Sequence, residues 1–256
     1  MTARRPEATH DPSCTVRSHD TSTVRSHDTG TVRSHEAGTV RSHDAVSTVP
    51  LLQRYVLVAA ARLARRLGPG VTASVVHRAG GRQTVVGAAP PALAPVLALP
   101  GPVGHALVSG SVVVVPDVAS EDRWTAWRAA AQGQHVAAAL AAPGRASSRS
   151  VLVVAALSTR PRRWTAIEIM AADSAVQEVA RAVQLCDGLL TLAPAELRRS
   201  GEAARLVDAA VRALLGPGVD VLQALRELRR SVADHDGDLA SACAAARSGP
   251  PVVPIA

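Results

Sequence analysis

The stretch SVVVVPDVASEDRW, residues 111–124, decides how the rest of the chain is read. Four valines stop at Pro116, whose ring removes the amide that an inner strand would donate. Asp117 follows, with a short side chain suited to accept from turn amides. A polar loop then reaches Trp124, where residues 124–134 return to helical apolar spacing. The pattern predicts a fully buried strand, a capped turn and a helix.

Working back towards the N-terminus, GHALVSG (104–110) predicts a short helix closed by glycine, and the proline-dense stretch 89–102 predicts a loop. Two β-type runs, 71–77 and 82–88, flank Ala-Gly-Gly and form a hairpin signal. Residues 51–67 keep helical spacing, with Arg62, Arg65 and Arg66 on the polar side and GPG as the stop. Working forward, apolar runs at 135–143 and 150–157 surround the polar GRASSR as a second hairpin, and 162–185 is a long amphipathic helix. This order describes an α+β fold with a mainly antiparallel sheet flanked by helices.

The C-terminal part carries three helical patterns and no strand pattern. Leu206, Ala210, Val211 and Leu214 share a face in 202–215. Val221, Leu222, Leu225 and Leu228 do so in 219–231, where Asp220 can cap. Leu239, Ala242, Cys243 and Ala246 do so in 238–247. An all-α three-helix bundle follows.

Residues 15–45 repeat TVRSH with a period of eight. One valine per unit buries too little surface to offset the entropy of ordering, so a disordered tail is expected. His19, His27, His35 and His43 recur at fixed spacing. They are open to two readings, metal binding or duplication of a 24-nucleotide unit without a selected role.

Phe, Lys and Asn do not occur, as a GC-rich genome would produce, and aromatics make up 2% of the chain. Ala, Val and Leu must therefore build the core. Cys14, Cys186 and Cys243 lie far apart, which fits free thiols in a cytoplasmic protein rather than a disulfide framework or zinc site. No apolar run approaches the ~20 residues of a membrane span, and no signal-peptide pattern opens the chain. The net charge of +7 resides in the middle: residues 51–195 carry fourteen Arg against seven acids, while the segments on either side are balanced. Arg145, Arg149, Arg160, Arg162 and Arg163 are thus candidates to meet an acidic partner or anionic ligand.

The run GPVGHALVSGSVVVVPDVASEDRW, with the following helix, Ala-rich strand, LVVAALS and final long helix, resembles the GAF domain over residues 51–187. The resemblance implies a sensory and dimerisation unit, a homodimer, and a small-molecule ligand near His105, Asp117 and Trp124. No cofactor follows from it. The Asn-Lys-Phe-Asp-Glu set of cyclic-nucleotide-binding members is impossible here, and Cys186 falls past the last strand, away from a bilin position. Haem would fall to His105 or His135.

The stretch LVDAAVRALLGPGVDVLQALRELRRSVADHDGDLASACAAA resembles the ANTAR domain, an RNA-binding module joined to GAF in actinobacterial regulators. That resemblance implies transcription antitermination through an RNA stem-loop held by Arg212, Arg226, Arg229 and Arg230. The family's Ala-Lys-Gly is here Ala210, Val211 and Arg212. Its basic entry to the third helix is here Asp236, Gly237, Asp238, Leu239 and Ala240, close to Asp234. The alternative is a sensory or protein-interaction module of the same ancestry that has lost RNA binding. The boundaries implied are a disordered tail at 1–48, a GAF-like domain at 49–187, an ANTAR-like domain at 188–248 and a tail at 249–256. No phosphate loop, HExxH, GxSxG or metal-spaced histidine cluster occurs in the part expected to be ordered, so no enzymatic activity is expected.

Overall fold

The computed structural model describes residues 45–87 and 90–249. Residues 1–44, with the repeats and the disorder expected of them, lie outside the described residues, as does the tail from 250. The disorder expected to residue 48 meets a difference, because Ala45–Thr48 forms a helical turn, α1. Ala45 and Val46 are buried, and the Ala45 amide donates to Asp187 Oδ1 at 3.3 Å. Two small apolar side chains with a place in the core supply what a repeat unit lacks.

Helix α2 (Pro50–Leu67) opens on a proline, where a missing amide costs nothing. Its Leu52, Val56, Leu63 and Leu67 form the buried stripe, and Gly68, at φ 99, ends it. The hairpin β1 (Val71–Ala79) and β2 (Arg82–Gly87) follows as expected. The proline spacing predicts a loop over 89–102, yet Pro91–Leu93 forms a 3-10 turn and Ala94–Ala98 a short helix, α3. Pro91 and Pro95 stand in first-turn positions, where proline starts helical turns instead of breaking them. Helix α4 (Pro102–Ser109) is closed by Gly110 in the left-handed region.

The four valines give a shorter and less buried strand than expected. Only Val113–Val115 form β3, and Val112 is 37% exposed. Pairing with β4 alone makes β3 an edge, the position compatible with a following proline. Beyond it come α5 (Thr125–Gly133), β4 (Ala138–Ser147) and β5 (Ser150–Ser158). The strands consume most of GRASSR, so their turn is only Ser148 and Arg149.

The sheet order is β2-β1-β5-β4-β3, with every neighbouring pair antiparallel. Both faces are covered. Leu152, Val154 and Ala156 of β5 face the core shared with α2, while Val151, Val153, Ala155 and Leu157 face α4 and α5. This two-sided burial explains why SVLVVAALS is apolar without alternation.

Helix α6 (Ala166–Leu192) starts with a capping box between Thr165 and Glu168 and runs seven residues past the expected end at 185. It is followed by α7 (Ala195–Arg199), a turn without a sequence signal, then α8 (Glu202–Leu214), α9 (Val221–Asp234) and α10 (Leu239–Ser248). Their apolar stripes join the cluster that holds Leu152, Val176 and Cys186. The sheet and the C-terminal helices therefore share one core.

Candidate functional site

The four arginines expected to grip RNA occupy different environments. Arg212 pairs with Asp208 at 2.7 Å, and the same carboxylate accepts from the Leu51 amide at 2.7 Å, finishing the start of α2. Arg230 pairs with Glu227 at 2.7 Å and lines a cleft shared with Ala245 and Ala246 of α10. Arg229 turns the other way, since a Cβ on Gly188 of α6 would sit 3.6 Å from its Nη1. Arg226 is exposed. Two of the four charges are thus met by carboxylates, and Arg229 and Arg230 diverge across α9. The acids nearby have local work: Asp238 caps α10, accepting from the Ala240 amide and the Ser241 hydroxyl at 3.0 and 2.5 Å. The Ser241 hydrogen bond, chiefly, holds its carboxyl below the usual range.

The expected ligand set His105, Asp117 and Trp124 is only partly assembled. His105 and Trp124 meet edge-on with ring centroids 5.8 Å apart. Trp127, 2% exposed, fills the interior beside them, and a Cβ on Gly101 would come within 2.6 Å of its ring. Asp117 faces its own turn, accepting from the Ala119 amide at 2.9 Å. Of the other histidines, His77 is buried with Nε2 2.7 Å from Ser150 Oγ, and His135 closes α5 at φ 56.

A different place has the shape of a site. A cavity of about 380 Å³ opens where the two hairpin turns meet, and Arg78 of β1, Arg145 of β4 and Arg149 of the β4–β5 turn line it. The turns are tied by the Gly80 amide, which donates to the Arg149 carbonyl at 3.3 Å. Arg78 Nη2 donates to the carbonyl of Leu107, near the end of α4, at 2.6 Å. Leu107, Val108 and Val151 form the apolar wall, and no carboxylate is among the lining residues.

The profile of the GAF domain matches residues 53–183, from α2 through most of α6. The chain belongs to the GAF domain family. Among solved structures, GAF3 of Slr1393 from Synechocystis sp. PCC6803 in its photoproduct state is similar, with 16% identity and a TM-score of 0.44, over 56% of this chain and 99% of that one. No curated protein matches the chain. Among the described residues, no single helix is long and apolar enough to cross a membrane.

The basic cavity lies inside the GAF domain; α8, α9 and α10 lie outside the matched span. Of the five surplus arginines picked out by charge, Arg145 and Arg149 reach the cavity. Arg162 instead pairs with Glu168 and stacks on Trp164, with its guanidinium carbon 4.5 Å from the ring centre. Arg78 was the residue that sequence reasoning missed. The alternation of β1 could have found it: a lone arginine two residues past buried Val76 is on the face of the sheet that α4 covers.

Proposed function

We propose that the protein is a signal-responsive regulator in which the GAF domain receives the signal and α6 passes it to the C-terminal helices, which act as a protein-interaction output. The carrying observation is α6 itself: one unbroken helix whose Val176 and Val183 and whose Leu189 and Leu190 belong to a core common to the sheet, α8 and α9. A displacement at the sheet cannot be absorbed in a linker, because close-packed interiors transmit strain. Assembly as a homodimer through exposed Ile167 and Met170, at 73% and 68% exposure on one face of α6, completes this reading. Cytoplasmic location and lack of catalysis are part of it.

A second reading, transcription antitermination through an ANTAR-like grip on an RNA stem-loop, is favoured by Arg226 and Arg229, which are exposed and carry no ion pair among the described residues. Phosphate contacts supply most non-specific affinity for nucleic acid, so the two readings separate in a salt titration with stem-loop RNA. The first expects no binding at low salt. Binding that weakens steeply with salt and is lost in the Arg226→Ala/Arg229→Ala variant would replace it with the second.

A further inference from the structure

We infer that the cavity lined by Arg78, Arg145 and Arg149 is a binding site for a small phosphomonoester. The inference gives a ligand class to the sensory reading and rests on that reading for its regulatory meaning, though not for binding itself.

Three arginines from two hairpins line one space with no carboxylate in its lining. Like charges brought together repel. A dianion between them turns that repulsion into attraction. Arg78 is already oriented by its bond to the Leu107 carbonyl at 2.6 Å, which uses one of five guanidinium N–H groups. Arg145 and Arg149 are exposed and form no ion pair among the described residues, so both are available. The link from the Gly80 amide to the Arg149 carbonyl, at 3.3 Å, holds the two turns together and fixes the spacing of the arginines.

Charge and acceptor count favour phosphate over carboxylate. A carboxylate brings two oxygens and one charge to the three cations, whereas a phosphate ester brings three terminal oxygens and close to two charges. Size and wall select an ester over the free ion. At about 380 Å³ the cavity falls within the range of small-ligand sites, roughly 300–1,000 Å³. A phosphate alone would leave Val108, at 78% exposure on the rim, uncovered. An uncharged, largely apolar body attached to the phosphate covers it.

Calorimetric titration of the full chain at about 0.15 M salt, where the Debye length is about 8 Å, tests the site, with phenyl phosphate, inorganic phosphate, phenol and phthalate as probes. Phenyl phosphate binds tightest, inorganic phosphate more weakly, phthalate more weakly than phenyl phosphate, and phenol not measurably. The Arg145→Ala/Arg149→Ala variant weakens phenyl phosphate by about 30-fold or more, from two lost charge-assisted contacts. A charge-matched control, Arg65→Ala/Arg205→Ala, keeps affinity within about twofold, since exposed charges beyond a Debye length are screened. Absence of phosphate binding overturns the proposal, as does equal loss in both variants. Phthalate binding as tightly as phenyl phosphate overturns the ligand class. Saturation with phenyl phosphate that leaves amide exchange in α6, α8 and α9 unchanged keeps the site and removes the sensory reading.

Discussion

The Tyr55 hydroxyl donates to Glu178 Oε1 at 2.5 Å, joining α2 to α6 across 123 residues of sequence. Tyr55 is 7% exposed, and burial, then the bond to the carboxylate, raise its pKa well above the ordinary tyrosine value. The neutral phenol is the form the fold holds. Because the folded value exceeds the unfolded one, this contribution is complete below about pH 10 and is lost as pH rises beyond it. The single tyrosine of the chain makes the test direct. Tyrosinate absorbance should rise together with loss of helical circular dichroism. Ionisation near pH 10 with the fold intact would contradict it. Tyr55→Phe should cost about 1 kcal/mol at neutral pH in denaturant unfolding.

Gly144 marks where β4 passes under α6. A Cβ there would meet Val176 Cγ2 at 2.8 Å and the Val176 carbonyl oxygen at 2.9 Å. A side chain can swing away, but a backbone carbonyl inside a helix cannot. Gly144→Ala should therefore destabilise by roughly 1–3 kcal/mol through overpacking. Gly133→Ala, where a Cβ meets nothing within 4 Å, is the contrast and should stay within about 0.5 kcal/mol. Thermal melts of the two variants decide the point.

The five strands and most helices are legible in the sequence because apolar runs, helical spacing and glycine stops act over short windows, whereas the strand order is not. Asp220 caps α9 and Asp238 caps α10 where their residue type and position imply. The proline stretch misleads, since proline forbids the interior of a helix but favours its first turn, and only the fold tells which position Pro95 has. The ion pairs that occupy two of the four arginines do have a signal in the spacing. Asp208 and Glu227 stand four and three residues before Arg212 and Arg230, and such neighbours pair on a helix surface. The basic cavity needs Arg78 and Arg149 on one rim, which depends on how the two hairpins pair and carries no local signal.

Glu121 should control the acid limit of the loop after β3. Its side chain is 6% exposed and accepts from Arg123 Nη2 at 2.6 Å and Nε at 2.8 Å. The Arg123 side-chain bond, chiefly, holds its carboxyl below the ordinary glutamate range. A depressed folded value means that the stabilisation is present above about pH 4.3 and is lost as pH falls through the folded value. Glu121→Gln should lower stability by about 1 kcal/mol at neutral pH and flatten the acid side of the stability profile, with the arginine's exposure keeping the effect small. A variant whose acid profile overlays that of the parent would contradict this.

Cys186 and Cys243 should report on the shared core rather than on redox chemistry. Both are fully buried. Burial raises the Cys186 thiol far above the ordinary range, with Asp187 and Asp208 adding to it, and pushes Cys243 up to about 11. The thiolate is the nucleophile, so neither sulfur should react with a maleimide at neutral pH while the protein is folded. Cys186 lies on α6 and Cys243 on α10, yet one apolar cluster contains both. If the GAF domain and the C-terminal helices unfold together, the two thiols of a Cys14→Ser variant become reactive at one denaturant concentration. Labelling of Cys243 well before Cys186 would show instead that the C-terminal helices open on their own, and would break the mechanical link that α6 provides.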